Sequence, residues 1–95
     1  MAEIPLPTCE IQLKERTITR GRIVNDHGNR VQWRVSRNGA VVATPEARSL
    51  ETYTHPDTAT GNYEIVLESW KHDGFKGNKG VGSYVEISNK VSYKI

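Results

Sequence analysis

The sequence predicts an all-β domain, two antiparallel sheets stacked as a sandwich, and three observations carry that reading. Apolar side chains fall at every second position through Val31, Trp33 and Val35, and again through Tyr63, Ile65 and Leu67. That is the spacing of a strand with one buried face. Turn-forming clusters (Asn25-Asp26-His27-Gly28-Asn29, Asn38-Gly39, His55-Pro56-Asp57 and Gly61-Asn62) separate such runs. No stretch keeps helical spacing for about ten residues. About seven short strands with turns roughly every 8 to 12 residues describe a sandwich, with a small barrel as the nearest alternative.

Residues 1–8 are expected to form an extended arm, because Pro5 and Pro7 fix their own φ and push the residues before them toward extended geometry. Ile4 and Leu6 suit either a loose leader or an arm that docks on a neighbour. The folded domain is placed at 9–95. Cys9, Ile11 and Leu13 alternate with Glu10, Gln12 and Lys14 as a first strand. A second covers 17–24, where the alternation slips around Arg20 and Arg22 and suggests a bulge at Gly21. The third turns Val31, Trp33 and Val35 inward and Arg30, Gln32 and Arg34 outward.

Asn38-Gly39 supplies the positive-φ pair of a tight hairpin turn. Residues 40–43 return as a fourth strand, which Pro45 turns into loop or edge. Residues 50–54 give a fifth. The sixth, 62–70, is the most regular, with Val66 its one break in alternation. Residues 71–82 read as a glycine-rich loop (Gly74, Gly77, Gly80, Gly82), long for a connection. Tyr84, Val85 and Ile87 open the last strand, Ser88-Asn89 interrupts it, and Val91, Tyr93 and Ile95 complete it.

With 36% hydrophobic and 25% charged residues, the 95-residue chain has the composition of one globular domain with a modest core. Thirteen Lys and Arg against eleven Asp and Glu leave a net +2. That is too little to imply nucleic acid or a membrane surface. Arg30 and Arg34, with Arg20 and Arg22 on an adjoining strand, are expected to be balanced across the sheet by Glu64 and Glu68, two glutamates on a solvated face. No exposed aromatic platform is expected beside these arginines, so a nucleic-acid partner is not. Cys9 is the single cysteine, so no internal disulfide staples the core, and a packed thiol is expected. The opening residues lack the basic-then-apolar run of a signal peptide. No stretch approaches the roughly 20 apolar residues of a membrane-spanning helix.

Three segments carry a family likeness. Trp33, with Arg37-Asn38-Gly39 and Val41-Val42, resembles the tryptophan strand and hairpin of immunoglobulin-like domains. Tyr53-Thr54-His55-Pro56, followed by Gly61-Asn62-Tyr63-Glu64-Ile65-Val66-Leu67, is similar to the end of polycystic-kidney-disease-type repeats. Ser88-Asn89-Lys90-Val91-Ser92-Tyr93 looks like the last strand of bacterial and phage immunoglobulin-like modules. The likeness covers 9–95 and implies an immunoglobulin-like sandwich. Trp33 would then plug a core shared with Ile65 and Leu67, and Tyr63 would be a corner tyrosine bonded back to nearby backbone. Ile65 stands where antibody domains carry their second cysteine, and Ala59 where the corner motif often begins with Asp. These departures leave the fold in place and withdraw any family-specific ligand.

Catalytic signatures are missing from the sequence. His27, His55 and His72 show no H-x-x-x-H or H-x-H spacing and have no cysteine partner, so neither a metal nor another cofactor is expected. If 25–29 and 71–82 share one end of the sandwich, Asp26, His27, His72 and Asp73 converge there as solvated loop residues. Neither a nucleophile elbow nor paired acids facing a cleft stands out, so no enzyme is expected. The best candidate site is the glycine-rich loop. There Phe75, the one phenylalanine, lies among His72, Asp73, Lys76 and Lys79 and suits either an anchor for a protein partner or a fold-back onto the sandwich edge.

The expected function is a non-catalytic binding or structural module that displays loops. Its concrete form is a decoration or tail-associated protein of a phage virion, docked through the arm or by strand addition at a sheet edge. The alternative is a carbohydrate-binding or adhesive module of a bacterial surface or secreted protein, with Phe75, Trp70, Tyr53 and Tyr84 as the aromatics open to a sugar ring. A third reading is a protein-binding chaperone or inhibitor. A virion or the extracellular surface is the expected location.

Overall fold

The computed structural model describes residues 6–26, 28–77 and 79–95, and the side chains at 73–76 and 79 lie outside that description. Among the described residues eight strands form: β1 (Ile11–Lys14), β2 (Thr17–Arg20), β3 (Val31–Arg37), β4 (Ala40–Ala43), β5 (Thr52–Thr54), β6 (Asn62–Lys76), β7 (Lys79–Glu86) and β8 (Val91–Lys94). They make two antiparallel sheets, β1-β2-β5 and β4-β3-β6-β7, with β8 also paired to β6. Because β3 occupies one flank of β6, β7 and β8 share the other, β7 along 68–76 and β8 along 62–65. They are two halves of the interrupted last strand. Among the described residues no helix is long and apolar enough to cross a membrane.

The alternating residues meet between the sheets. Trp33, Tyr63, Ile65 and Leu67 are fully buried, with Val35 beside them and Ile11 and Ile18 from the opposing sheet. Apolar area removed from water at this layer is what holds the sheets face to face. The polar ends of the two large rings are satisfied. Trp33 Nε1 donates to the Leu50 carbonyl at 3.0 Å, and the Tyr63 hydroxyl donates to the Ala59 carbonyl at 2.6 Å, the backbone bond of a tyrosine corner. Asn38 and Gly39 turn the β3–β4 hairpin at φ 51° and 86°.

The interruption at Ser88-Asn89 joins the sheets. Cys9 N–H donates to the Ile87 carbonyl at 2.7 Å, in a parallel bridge between Cys9 and Ser88. Ser88 Oγ accepts the Leu67 N–H at 2.9 Å. The Asn89 amide accepts from Ile11 N–H at 2.9 Å and donates to the Ile11 carbonyl at 3.0 Å, covering an otherwise open sheet edge. Cys9 is buried, and that burial pushes its thiol pKa up, away from the reactive thiolate. At the start of β6, Gly61 and Ile95 exchange both backbone bonds at 3.0 Å.

Four expectations change. The second strand ends at Arg20 rather than running to 24 with a bulge at Gly21. The Arg20 guanidinium reaches away to the carbonyls of Ala47 (3.0 Å) and Arg48 (2.8 Å), and Val24 bridges to Thr8 instead. Arg20 therefore belongs to the sheet opposite Arg34, and no arginine stripe forms across them. Glu68 is not solvated. It is 4% exposed on the outer face, bound by Arg34 at 2.6 Å and by Gln32 Nε2 at 3.0 Å, while Arg34 also reaches Glu86. Arg34, opposite Val66 in register, lays its long stem over the central strand, so Val66 is buried as well. Glu64 is the exposed member of the pair and lies 3.7 Å from Lys90 Nζ.

The fourth change is the largest. Residues 71–82 are not a loop but the outer part of a β-hairpin. Pairing runs from Glu68–Glu86 through Trp70–Tyr84 to Lys76–Lys79, with one slip between His72 and Gly74, and Gly77 turns at φ 65°. The last backbone bond from β6 to the β3 side is Trp70 N–H to the Arg30 carbonyl, at 2.8 Å. Past it, among the described residues, the hairpin pairs only with itself.

Candidate functional site

The root of this hairpin is where side chains with binding chemistry collect. Arg30, Trp70 and Tyr84 are neighbours across three strands, since Trp70 pairs with Tyr84 and donates its N–H to Arg30. Strand alternation puts them on the outer face, two positions beyond Gln32, Glu68 and Glu86. The Trp70 and Tyr84 rings meet edge to face, with centroids 5.2 Å apart and planes at 73°. His72 closes the other side at 6.1 Å and 83°, and Trp70 Nε1 donates to His72 Nδ1 at 3.3 Å. Gly82 makes the arrangement possible. A Cβ there would stand 2.3 Å from the Lys71 carbonyl oxygen and 2.8 and 2.9 Å from two Trp70 ring atoms. The indole thus lies on bare backbone, and glycine at this strand position permits the close approach.

The neighbouring turn is tied to Arg48 by polar contacts. Arg48 binds the Asp26 carboxylate through Nη1 and Nη2, both at 2.9 Å, and the Asn29 carbonyl through Nε at 3.2 Å. Asp26 Oδ1 also accepts the Gly28 N–H at 2.9 Å, and Gly28 sits at φ 77°, a conformation that favours glycine. The Arg48 guanidinium, helped by that backbone N–H, holds the Asp26 pKa down to about 2. Two shallow concavities flank Gly28, Asn29 and Arg30. One, of about 410 Å³, continues to Gln32, Thr44 and Tyr84. The other, of about 380 Å³, continues to Trp70, His72 and Gly80. The ion pairs among the described residues employ Arg34, Arg37, Arg48 and Lys90 and leave Arg30 unengaged.

The expected convergence of 25–29 with 71–82 occurs in part. Gly28 and Asn29 do lie against Trp70 and His72, but Asp26 is committed to Arg48. Among the described residues no cluster of three His, Cys, Asp or Glu side chains is placed to hold a metal. Asp73, Phe75, Lys76 and Lys79 have their backbones in the hairpin, and their side chains lie outside the described set, as do residues Ile4 and His27. Leu6 is 49% exposed. Tyr53 lies elsewhere, bonded to buried His55 Nδ1 at 3.0 Å, in an aromatic row continued by Tyr63 and Tyr93. The expectation that no aromatic platform accompanies the arginines is overturned at Arg30. The signal lay in register: Arg30, Trp70 and Tyr84 become neighbours only once three strands are aligned. No protein-family model matches the chain, and no curated protein or solved structure matches it.

Proposed function

We propose that this chain is a non-catalytic, immunoglobulin-like binding module that docks on a larger assembly, in concrete form a decoration or tail-associated protein of a phage virion. The observation that carries the docking is the hairpin of β6 and β7 continuing past the last bond to β3, which presents a two-stranded ribbon beyond the body. Such a ribbon offers backbone and side chains to a partner while the sandwich stays intact. The immunoglobulin-like part is supported by the division of strands, first, second and fifth against third, fourth, sixth, seventh and eighth, and by the Tyr63 corner bond.

The test is immunogold labelling of density-purified particles incubated with the tagged chain and with a variant in which Lys71 is joined to Ser83 through Asn-Gly. Those two residues face each other in register, so a two-residue turn closes the shortened hairpin. Label on particles that is lost with the shortened hairpin is expected. Equal label with both removes the hairpin from docking, and no label with either ends the virion reading. A second reading, sugar binding, is favoured by one observation, the Trp70–Tyr84 pair on the outer face.

A further inference from the structure

The outer face at the hairpin root has three properties that belong together. An indole lies against Gly82, where any side chain would meet it, and the same ring borders the concavity shared with Asn29, Arg30 and Gly80. A guanidinium stands in the neighbouring cross-strand position with no ion-pair or hydrogen-bond partner among the described residues. The turn behind it carries the Arg48–Asp26 ion pair and the bond from Arg48 to the Asn29 carbonyl. The two concavities, about 410 and 380 Å³, are shallow and open, so a ligand there lies along the surface with one side in solvent.

Arg30 has donors and no acceptor, so the group that meets it must accept; a carboxylate matches its planar fork with two parallel bonds. A ring with an apolar face fits against Trp70. Asn29, Gln32 and Thr44, towards Tyr84, add both donors and acceptors of the kind that reads hydroxyl groups. A polyanion fits less well, because Glu46 lines the same concavity and Glu86 follows Tyr84 by two residues on β7.

We propose that Arg30, Trp70 and Tyr84 form a binding site for an acidic saccharide, with a uronate ring on Trp70 and its carboxylate on Arg30. The inference rests on the sugar-binding reading and is separable from it. The full chain, labelled with ¹⁵N, is titrated with methyl β-D-glucuronide, with its neutral counterpart methyl β-D-glucoside and with a ten-nucleotide oligothymidylate, following the two indole N–H signals. The glucuronide is expected to move Trp70 and leave buried Trp33 still, with affinity about tenfold above the glucoside, the worth of one charge-assisted bond. Arg30→Gln should erase that difference, and Trp70→Ala should abolish binding while the remaining spectrum keeps its dispersion. Equal binding of both sugars, unchanged in Arg30→Gln, overturns the acidic class but leaves sugar binding standing. No response to either sugar ends both, and a response to the oligonucleotide alone replaces them with a nucleic-acid site.

Discussion

Strand β6 is held by different means at its two ends. From Tyr63 to Ile65 it has β3 on one flank and β8 on the other, Tyr63, Ile65 and Leu67 have no exposed surface, and Arg34 covers Val66 from outside. Beyond Trp70 it has, among the described residues, β7 alone, and Lys71 and His72 are exposed. The inner end is secured by burial on two faces. The outer end is secured by a backbone ladder, an aromatic pair at its root and a glycine that lets the pair sit down. Since an isolated two-stranded ribbon is marginally stable, the root has to hold what the core does not reach. Stability and display are thus divided along a single strand.

Three substitutions probe this division, beginning with the core. Trp33→Ala should lower unfolding free energy by about 3–5 kcal/mol in urea titration, since it empties the centre of the core and strands the Leu50 carbonyl. A loss under about 1 kcal/mol would mean that the inner end is not held by burial. Gly82→Ala should behave differently. Its new methyl meets the Lys71 carbonyl and the indole, so amide exchange at 71–83 should accelerate while the urea midpoint of the body barely moves. A midpoint shift as large as that of Trp33→Ala would show the two ends to be one cooperative unit.

The smallest effect is acid sensitivity at the Asp26–Arg48 clamp. Asp26 titrates at about 2 when folded against an ordinary 3.8, so its stabilisation is complete above the ordinary value and is lost as pH falls through about 2. The pair is more than a third exposed, which limits the effect to about 0.2–1 kcal/mol. Asp26→Asn should flatten the acid limb of the stability profile by that amount. Identical limbs in the two proteins would show that the turn does not depend on its clamp.

Much of the body is legible in the residues themselves. Alternation in Val31–Trp33–Val35 and Tyr63–Ile65–Leu67 names two strands and their inward faces, and the Asn-Gly pair names its turn because few other residues adopt its φ. The break at Ser88-Asn89 is visible too. What it does is not, because the partner of the Asn89 amide is Ile11, far along the chain. The hairpin is hidden by Gly74, Gly80 and Gly82, which weaken the local preference for a strand although their backbones pair as well as any. Burial of Glu68 is hidden for another reason: a period of two tells which face a side chain takes, and nothing about what lies over that face. The candidate site needs register. Trp70 and Tyr84 are visible as aromatics, but their alignment with Arg30 depends on pairing between residues 40 and 14 positions apart.

The mutual backbone bonds of Gly61 and Ile95 have a practical consequence. They anchor residue 95 where β6 begins, and β6 runs from there roughly 45–50 Å to the hairpin turn. A tether attached at that residue, whether to a bead, a sensor chip or a fused neighbour, therefore points the ribbon outward and keeps its tip clear of the support.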